Sequence, residues 1–252
     1  MITLIVHADD FGLSANVNEC IDTCFITGAL SETSLMVNMP CASNAVEMAR
    51  KAGYDNRVGL HLNLTEGTPL TDDILREESF CGKDGRFNKV FHLSRRKRLW
   101  LSGRERNALR KEIVAQIERF CDYNGLMMRI DSHHHVHTDW PVYSILRELA
   151  PSYGFSSMRI SANVGAYSIG KNIYKFLLNR SIKRNFKTTN WFGGYSLVAR
   201  KMRGEADGVC EVMVHPLYSE SREILDTSIP YADVIEKLKT DKNAEIMAWH
   251  KD

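Results

Sequence analysis

The sequence predicts an α/β fold: one distorted or incomplete (β/α) barrel-like domain with about seven parallel strands. Three observations predict it. Short apolar runs alternate with amphipathic helical segments along most of the 252 residues, the order that builds a parallel sheet covered by helices. No Gly-x-Gly-x-x-Gly follows the first apolar run, which disfavours a dinucleotide-binding sheet. Four separate polar clusters each stand at the C-terminal end of a predicted strand, where parallel barrels carry their active sites.

Residues 2–8 are the first apolar run and suit a strand buried on both faces. Ser14 is an N-cap candidate. Val17, Cys20, Ile21, Cys24 and Phe25 follow at helical spacing, with Gly28 as the stop. Residues 33–37 read as a second strand. Ala42 to Lys51 reads as a helix that turns Ala45, Val46, Met48 and Ala49 inward and stops at Gly53. Arg57 to Leu64 is a third strand. Residues 65–103 break the rhythm with Gly67, Pro69, Gly82, Gly85, Gly103 and many charges. A connection of that length is expected to be functional or mobile.

Arg104 to Tyr123 is an amphipathic helix, with Leu109, Ile113, Ile117 and Phe120 on one face. Met127 to Asp131 is a strand, and Pro141 to Ala150 a helix with proline in its first turn. Ser157 to Ser161 is a short strand and Lys171 to Asn185 a helix. Val209 to Val214 is a strand, Tyr231 to Lys239 a helix and Ala244 to Ala248 a last strand. No repeat or linker is evident. Residues 1–252 read as one domain with an insertion at about 65–103.

Hydrophobic residues make up 44% and charged residues 25%, which supports a core without disulfide or metal staples. The 33 basic and 31 acidic side chains leave a net charge of +2, so no nucleic-acid partner is expected. The N-terminal apolar run is too short for a secretory signal, and no stretch approaches the ~20 apolar residues of a membrane span. A soluble cytoplasmic protein without a membrane partner is the expectation. The six cysteines contain no Cys-x-x-Cys and read as reduced and mostly core.

The polar clusters carry the chemistry. Asp9-Asp10-Phe11-Gly12 follows the first strand, and His61 lies near the end of the third. Asp131-Ser132-His133-His134-His135-Val136-His137 follows the strand at 127–130, and His215-Pro216 follows the strand at 209–214. If strand conformation continues through the histidines, Asp131, His133, His135 and His137 share one face and His134 and Val136 the other. A lone histidine at a strand end is usually a hydrogen-bonded core residue, but four beside an aspartate point to a metal. A carboxylate with two imidazoles suits a divalent ion with open positions for water and substrate. One of Asp9 and Asp10 can bind the metal while the other takes a proton from its water. An Asp-Asp-Phe-Gly turn can also merely cap the next helix. Asp-Phe-Gly occurs in kinases too, but no Gly-rich loop, strand lysine or His-Arg-Asp precedes it here.

Four strings together, Ala8-Asp9-Asp10-Phe11-Gly12, Gly59-x-His61, Asp131-Ser132-His133-His134-His135-Val136-His137 and Glu211-Val212-Met213-x-His215-Pro216, resemble the motifs of the YdjC-like (ChbG-type) carbohydrate deacetylases. Order and approximate spacing match from residue 2 to about 216. The resemblance implies a distorted TIM-like barrel, akin in fold to NodB-type polysaccharide deacetylases, with one divalent metal. It implies removal of the acetyl group from an N-acetylated sugar such as a chito-oligosaccharide. By position it makes Asp10, His61 and His133 metal ligands, Asp9 the general base, and His215 the acid that protonates the leaving amine. It implies magnesium, whereas two imidazole ligands favour zinc or another transition ion on chemical grounds. Asp131, His135, His137 and Trp140 are candidates to touch substrate or support the ligands, Asp131 by orienting a histidine. The role of His134 is open. The rival readings are a metal-dependent phosphoesterase or cyclic amidohydrolase on the same scaffold, and a non-catalytic protein that retains a metal or sugar site.

Arg95-Arg96-Lys97-Arg98 before Trp100 reads as a solvated loop, or as a lid that sets Arg or Trp on a sugar. Trp191-Phe192-Gly193-Gly194-Tyr195 fits a sugar-stacking wall, core packing or a subunit contact. His7, His92 and His250 have no companions in the sequence and read as structural or exposed. Asp72-Asp73 and Glu77-Glu78 read as solvated. An unclosed edge near the last strand would favour a homodimer.

Overall fold

Strand β1 (Ile2–Phe11) is the centre of a parallel sheet. On one side lie β2 (Glu32–Leu35), β3 (Val58–Leu62), β4 (Arg129–Ser132) and β5 (Ser157–Met158). On the other lie β7 (Gly208–Val214) and then β6 (Trp191–Gly194). A further strand, β11 (Ala244–Ile246), pairs with Ile2–Leu4. Every pairing in this sheet is parallel. The outer strand β5 makes one parallel bridge, Ser157 to Lys187, with the segment that leads into β6, and the curled sheet is a distorted barrel, as expected. The computed structural model describes residues 2–165, 168–195, 198, 207–226, 229–233, 236 and 244–246.

The helices form where periodicity and capping predict them. Helix α1 (Ala15–Ile26) starts at Ser14, whose hydroxyl accepts from the Val17 N–H at 3.3 Å. Helix α2 (Ala42–Ala52) ends at Gly53, which takes the left-handed conformation (φ +76°) that glycine adopts without steric cost. Two short helices, α3 (Asp72–Leu75) and α4 (Val90–Leu93), lie in the insertion. Helix α5 (Gly103–Asp122) opens with a reciprocal capping box between Ser102 and Glu105, which satisfies two otherwise unpaired donors. Helices α6 (Trp140–Leu149) and α7 (Ile169–Asn185) complete the outer layer.

Strand alternation sorts two cores. Leu4, Val6, Ala8, Leu60, Ile130 and Val212 join the apolar core. Their sequence neighbours His7, Asp9, His61, Asp131 and Glu211 project to the opposite face, as period two requires. That second face is as buried as the first, and it holds charges.

Several elements depart from expectation. β2 runs from Glu32 to Leu35 rather than 33–37, and β5 has two residues rather than five. β6 and an antiparallel sheet of β8 (Pro216–Tyr218), β9 (Ile224–Asp226) and β10 (Ile229–Pro230) had no clear alternation to announce them. The insertion is anchored by buried Ile74, Phe80 and Phe91, and the Glu112 carboxylate accepts from the Leu70 and Thr71 N–H groups. Glu77 is buried and pairs with Arg104, against expectation, whereas Asp72 and Glu78 are exposed and Asp73 pairs with Lys111 at the surface. Residues 231–233 and 236 are helical, and the rest of the expected 231–239 helix lies outside the described residues, as do residues 247–248 and His250.

Candidate active site

The strand ends converge on Asp10. The β1–β2 register shifts between Ala8 and Phe11, and Asp10 sits at φ +70°. This irregularity re-aims a side chain that regular alternation would send to the opposite face from Asp9. His61 Nε2 on β3 stands 3.2 Å from Asp10 Oδ1, and His133 Nδ1 after β4 stands 2.7 Å from the same oxygen. Ligand atoms of Asp10, His61 and His133 all lie within 4.8 Å of one another, close enough to share one cation. Burial opposes ionisation of Asp10, but His133 and His61 overcome it and hold the carboxyl well below its usual range.

His61 is oriented from behind. Its Nδ1 lies 2.7 Å from Asp131 Oδ1 and 2.9 Å from Ser34 Oγ. Its Nε2 is buried without a well-formed hydrogen bond. A ring that donates Nδ1–H to a carboxylate and leaves Nε2 bare is the arrangement of a metal-ligating imidazole. The residues therefore fit a divalent metal. Burial disfavours the charged ring, yet Asp131, Asp10 and Asp9 raise the His61 pKa to about 10.

Asp9 faces another way. Arg159 Nη1 and Nη2 donate to its Oδ2 and Oδ1 at 2.8 and 2.7 Å. Burial would raise the Asp9 pKa, but Arg159 and then His61 lower it. Arg159 is itself fully buried, and it also pairs with Asp131 and Glu211 at 2.7 and 2.6 Å. Arg129 continues the network to Glu211 and Glu32. His7 stands among Asp131 (3.1 Å), Glu32 (3.6 Å) and Glu211 (3.8 Å). Its structural reading holds, but its lack of companions does not. Burial and Arg159 oppose its charge, while Asp131 and Glu32 raise its pKa.

His215 lies at the mouth. Its Nε2 is 4.0 Å from Asp9 Oδ2, and its backbone N–H donates to Asp226 Oδ1 at 2.8 Å. Its Nδ1 lies 4.0 Å from the same Asp226 oxygen.

The histidine string is not a strand. β4 ends at Ser132, and His133–Thr138 form a 3-10 turn with His134 and His135 at φ +51° and +58°. The shared face expected for Asp131, His133, His135 and His137 is therefore absent. The cause is local: Ser132 Oγ accepts from the His137 N–H at 2.8 Å and folds the chain back. His133 reaches Asp10. His134 is exposed, with Nδ1 2.9 Å from Thr65 Oγ1 and its ring stacked on His92. His135 packs edge-on against Phe192, and burial followed by Arg159 lowers its pKa to about 4. His137 is fully buried between Ser132 and the Arg159 carbonyl, and burial followed by His135 lowers it to about 3. Trp140 is exposed at the start of α6. Phe192 is core, with the Arg159 guanidinium 4.7 Å over its ring, so at that position core packing prevails over a sugar wall.

Sequence reasoning missed Arg159, Arg129, Glu32, Ser34 and Asp226, and it did not assign Glu211 a place. The available signal was a charged residue at an inward position of an otherwise apolar strand, which demands a buried partner.

The YdjC-like protein family model matches residues 3–249. A carbohydrate deacetylase of Clostridium beijerinckii is 30% identical over 98% of this chain and 94% of its own length. A carbohydrate deacetylase of Vibrio vulnificus strain CMCP6 is 35% identical over 60% of this chain, a match that spans 56% of that relative's length. One from Geobacillus stearothermophilus is 38% identical over 59% of this chain and 56% of its own. A solved Enterococcus faecalis V583 structure, of a protein named for cellobiose-phosphate cleavage, superposes with a TM-score of 0.72. It covers 98% of this chain and 96% of that one at 21% identity, which speaks to the fold. Matched from the first strand of the barrel to the last, this chain belongs to the YdjC-like protein family.

Proposed function

We propose that this protein hydrolyses the acetamide of an N-acetylated sugar, a chito-oligosaccharide or related glycan, with one divalent metal held by Asp10, His61 and His133. The observation that carries the reading is the convergence of those three groups beside a separate, arginine-clamped Asp9 and a histidine at the mouth. The relatives named carbohydrate deacetylases support the substrate class. Two imidazoles in the ligand set favour zinc or another transition ion, while family resemblance favours magnesium. Bound there, the ion supplies Lewis acidity toward the acetyl carbonyl and makes an attacking water more acidic.

The chain's own residues do the rest. Asp9, kept ionised by Arg159, takes the proton of the attacking water. Asp131 holds His61 in the tautomer that leaves Nε2 free to ligate. An amine leaves poorly unless protonated, and His215 delivers that proton to the nitrogen. Asp226 steadies the His215 backbone. Trp140, exposed beside the histidines, offers an aromatic face to a sugar ring. The six cysteines are free thiols, which suits a reducing, cytoplasmic setting.

The test is amine release from chitobiose and longer N-acetylglucosamine oligomers. Metal-stripped protein would be reloaded with zinc, magnesium, cobalt or manganese, with His133→Ala as control. Release restored by metal and absent in the variant is the expected result. Stoichiometric metal binding with no release from any acetylated glycan would sink the reading.

A further inference from the structure

Charge is segregated along this chain. Residues 149–204 hold ten Lys and Arg and no Asp or Glu, which leaves 23 basic against 31 acidic side chains for the rest. Helix α7 lies inside that stretch and carries Lys171, Lys175, Arg180, Lys183 and Arg184. Its buried side is narrow: Leu178, Asn179 and Ile182. Its outward side is apolar in the first half, where Ile169 is 81% exposed, Ile173 57%, Phe176 64% and Leu177 59%. The same side then turns basic at Arg180, Lys183 and Arg184. At the helical rotation per residue, these seven positions fall within an arc of about 120°. A cleft of about 550 Å³ opens beside the helix, with Lys175, Arg180, Lys183 and Arg184 among its walls.

A second surface of the same character adjoins it. Residues 85–104 hold seven basic side chains and no acidic one; Lys89, Lys97, Arg98 and Arg104 pair with Glu66, Glu105, Asp139 and Glu77, so the outward charge rests on Arg86, Arg95 and Arg96. Leu93, Leu99 and Trp100 are exposed there, with Arg95 and Arg96 outward and Arg96 over the Trp100 ring. Residues 138–140 join the two surfaces. Tyr174 of α7 donates its hydroxyl to the Thr138 carbonyl at 2.7 Å, and the Trp140 N–H donates to the Arg98 carbonyl at 3.0 Å.

We propose that the outward face of α7, continued by the 93–100 segment, docks on an anionic lipid surface. Exposed aliphatic and aromatic side chains enter the acyl boundary, and the lysines and arginines meet phosphate headgroups. A second copy is the poorer occupant, because two α7 faces meeting about a two-fold axis would bring no acidic side chain of the helix to Arg180, Lys183 and Arg184. A nucleic acid would satisfy the charge but leave Ile169, Ile173 and Leu177 in water. Docking on a surface is distinct from spanning: no helix among the described residues is long and apolar enough to cross a membrane.

The test is co-sedimentation of the full chain with vesicles of phosphatidylcholine alone, or mixed with phosphatidylglycerol. The mixed vesicles are expected to bind at least about tenfold more protein at ~0.1 M salt and to release it as salt rises to ~0.5 M. Phe176→Glu, and separately Arg180→Glu with Arg184→Glu, should each cut binding about tenfold or more. These positions are exposed, so far-UV dichroism and melting temperature should stay as in the parent. Arg180→Lys with Arg184→Lys should bind as the parent does. Equal binding by parent and variants, or no preference for the anionic vesicles, overturns the proposal. So does a parent dimer, seen by light scattering, that Phe176→Glu turns into monomer.

Discussion

Arg159 grips both carboxylate oxygens of Asp9, at 2.7 and 2.8 Å, across 150 residues of sequence. The Arg159 side chain is 0% exposed and that of Asp9 3%. A buried guanidinium in a two-point grip keeps the acid ionised and fixes its direction. Arg159→Lys replaces the fork with a point charge. The Asp9 pKa should rise, so the acid limb of kcat/KM moves to higher pH and the maximal rate falls roughly ten- to a hundredfold. An acid limb that does not move would remove Asp9 as the base.

Asp131→Asn keeps the shape and removes the charge behind His61. Affinity for the metal should fall about ten- to a hundredfold, read by competition with a chromophoric chelator. The change also strips a partner from Arg159 and His7, so a lower melting temperature should accompany it. Unchanged affinity would mean that Asp131 does not set the His61 tautomer.

His215→Gln separates proton delivery from ligation. Turnover should drop about 10²–10⁴-fold while the metal affinity stays at the parent value. A matching loss of metal affinity would instead move His215 into the ligand set.

Stability of the metal-free protein should depend on pH in a stated window. Burial lowers His137 to about 3 and His135 to about 4. The unfolded histidines take protons near pH 6.5, before the folded ones do, so acid favours unfolding. The melting temperature should fall as pH drops from about 6.5 toward 4. His61, raised to about 10, acts in the opposite sense: its contribution is complete below about pH 6.5 and is lost as pH rises toward 10. A flat melting profile from pH 6.5 to 4 would contradict the buried, neutral state of His137 and His135.

The candidate site was legible where local sequence encodes it. Asp10, His61 and His133 meet because three strands run parallel and end at one level, and each of those strands is readable from its own residues. The histidine turn was not legible. Its backbone is set by the Ser132 hydroxyl caught on the His137 N–H, and alternating residues give no sign of such a return. His7 likewise looked solitary, because its partners Asp131, Glu32 and Glu211 come from three other strands.

Periodicity and capping, which act within a few residues, determined the order of strands and helices, the starts of α1 and α5, and the gathering of polar motifs at the strand ends. Tertiary structure alone decided the charged interior of the barrel. Arg159 and Arg129 are tolerable there only because Asp9, Asp131, Glu211 and Glu32 arrive from β1, β4, β7 and β2 to pair with them. A buried charge is stable only with its partner, and that partner is fixed by strand order and register, which no local pattern specifies.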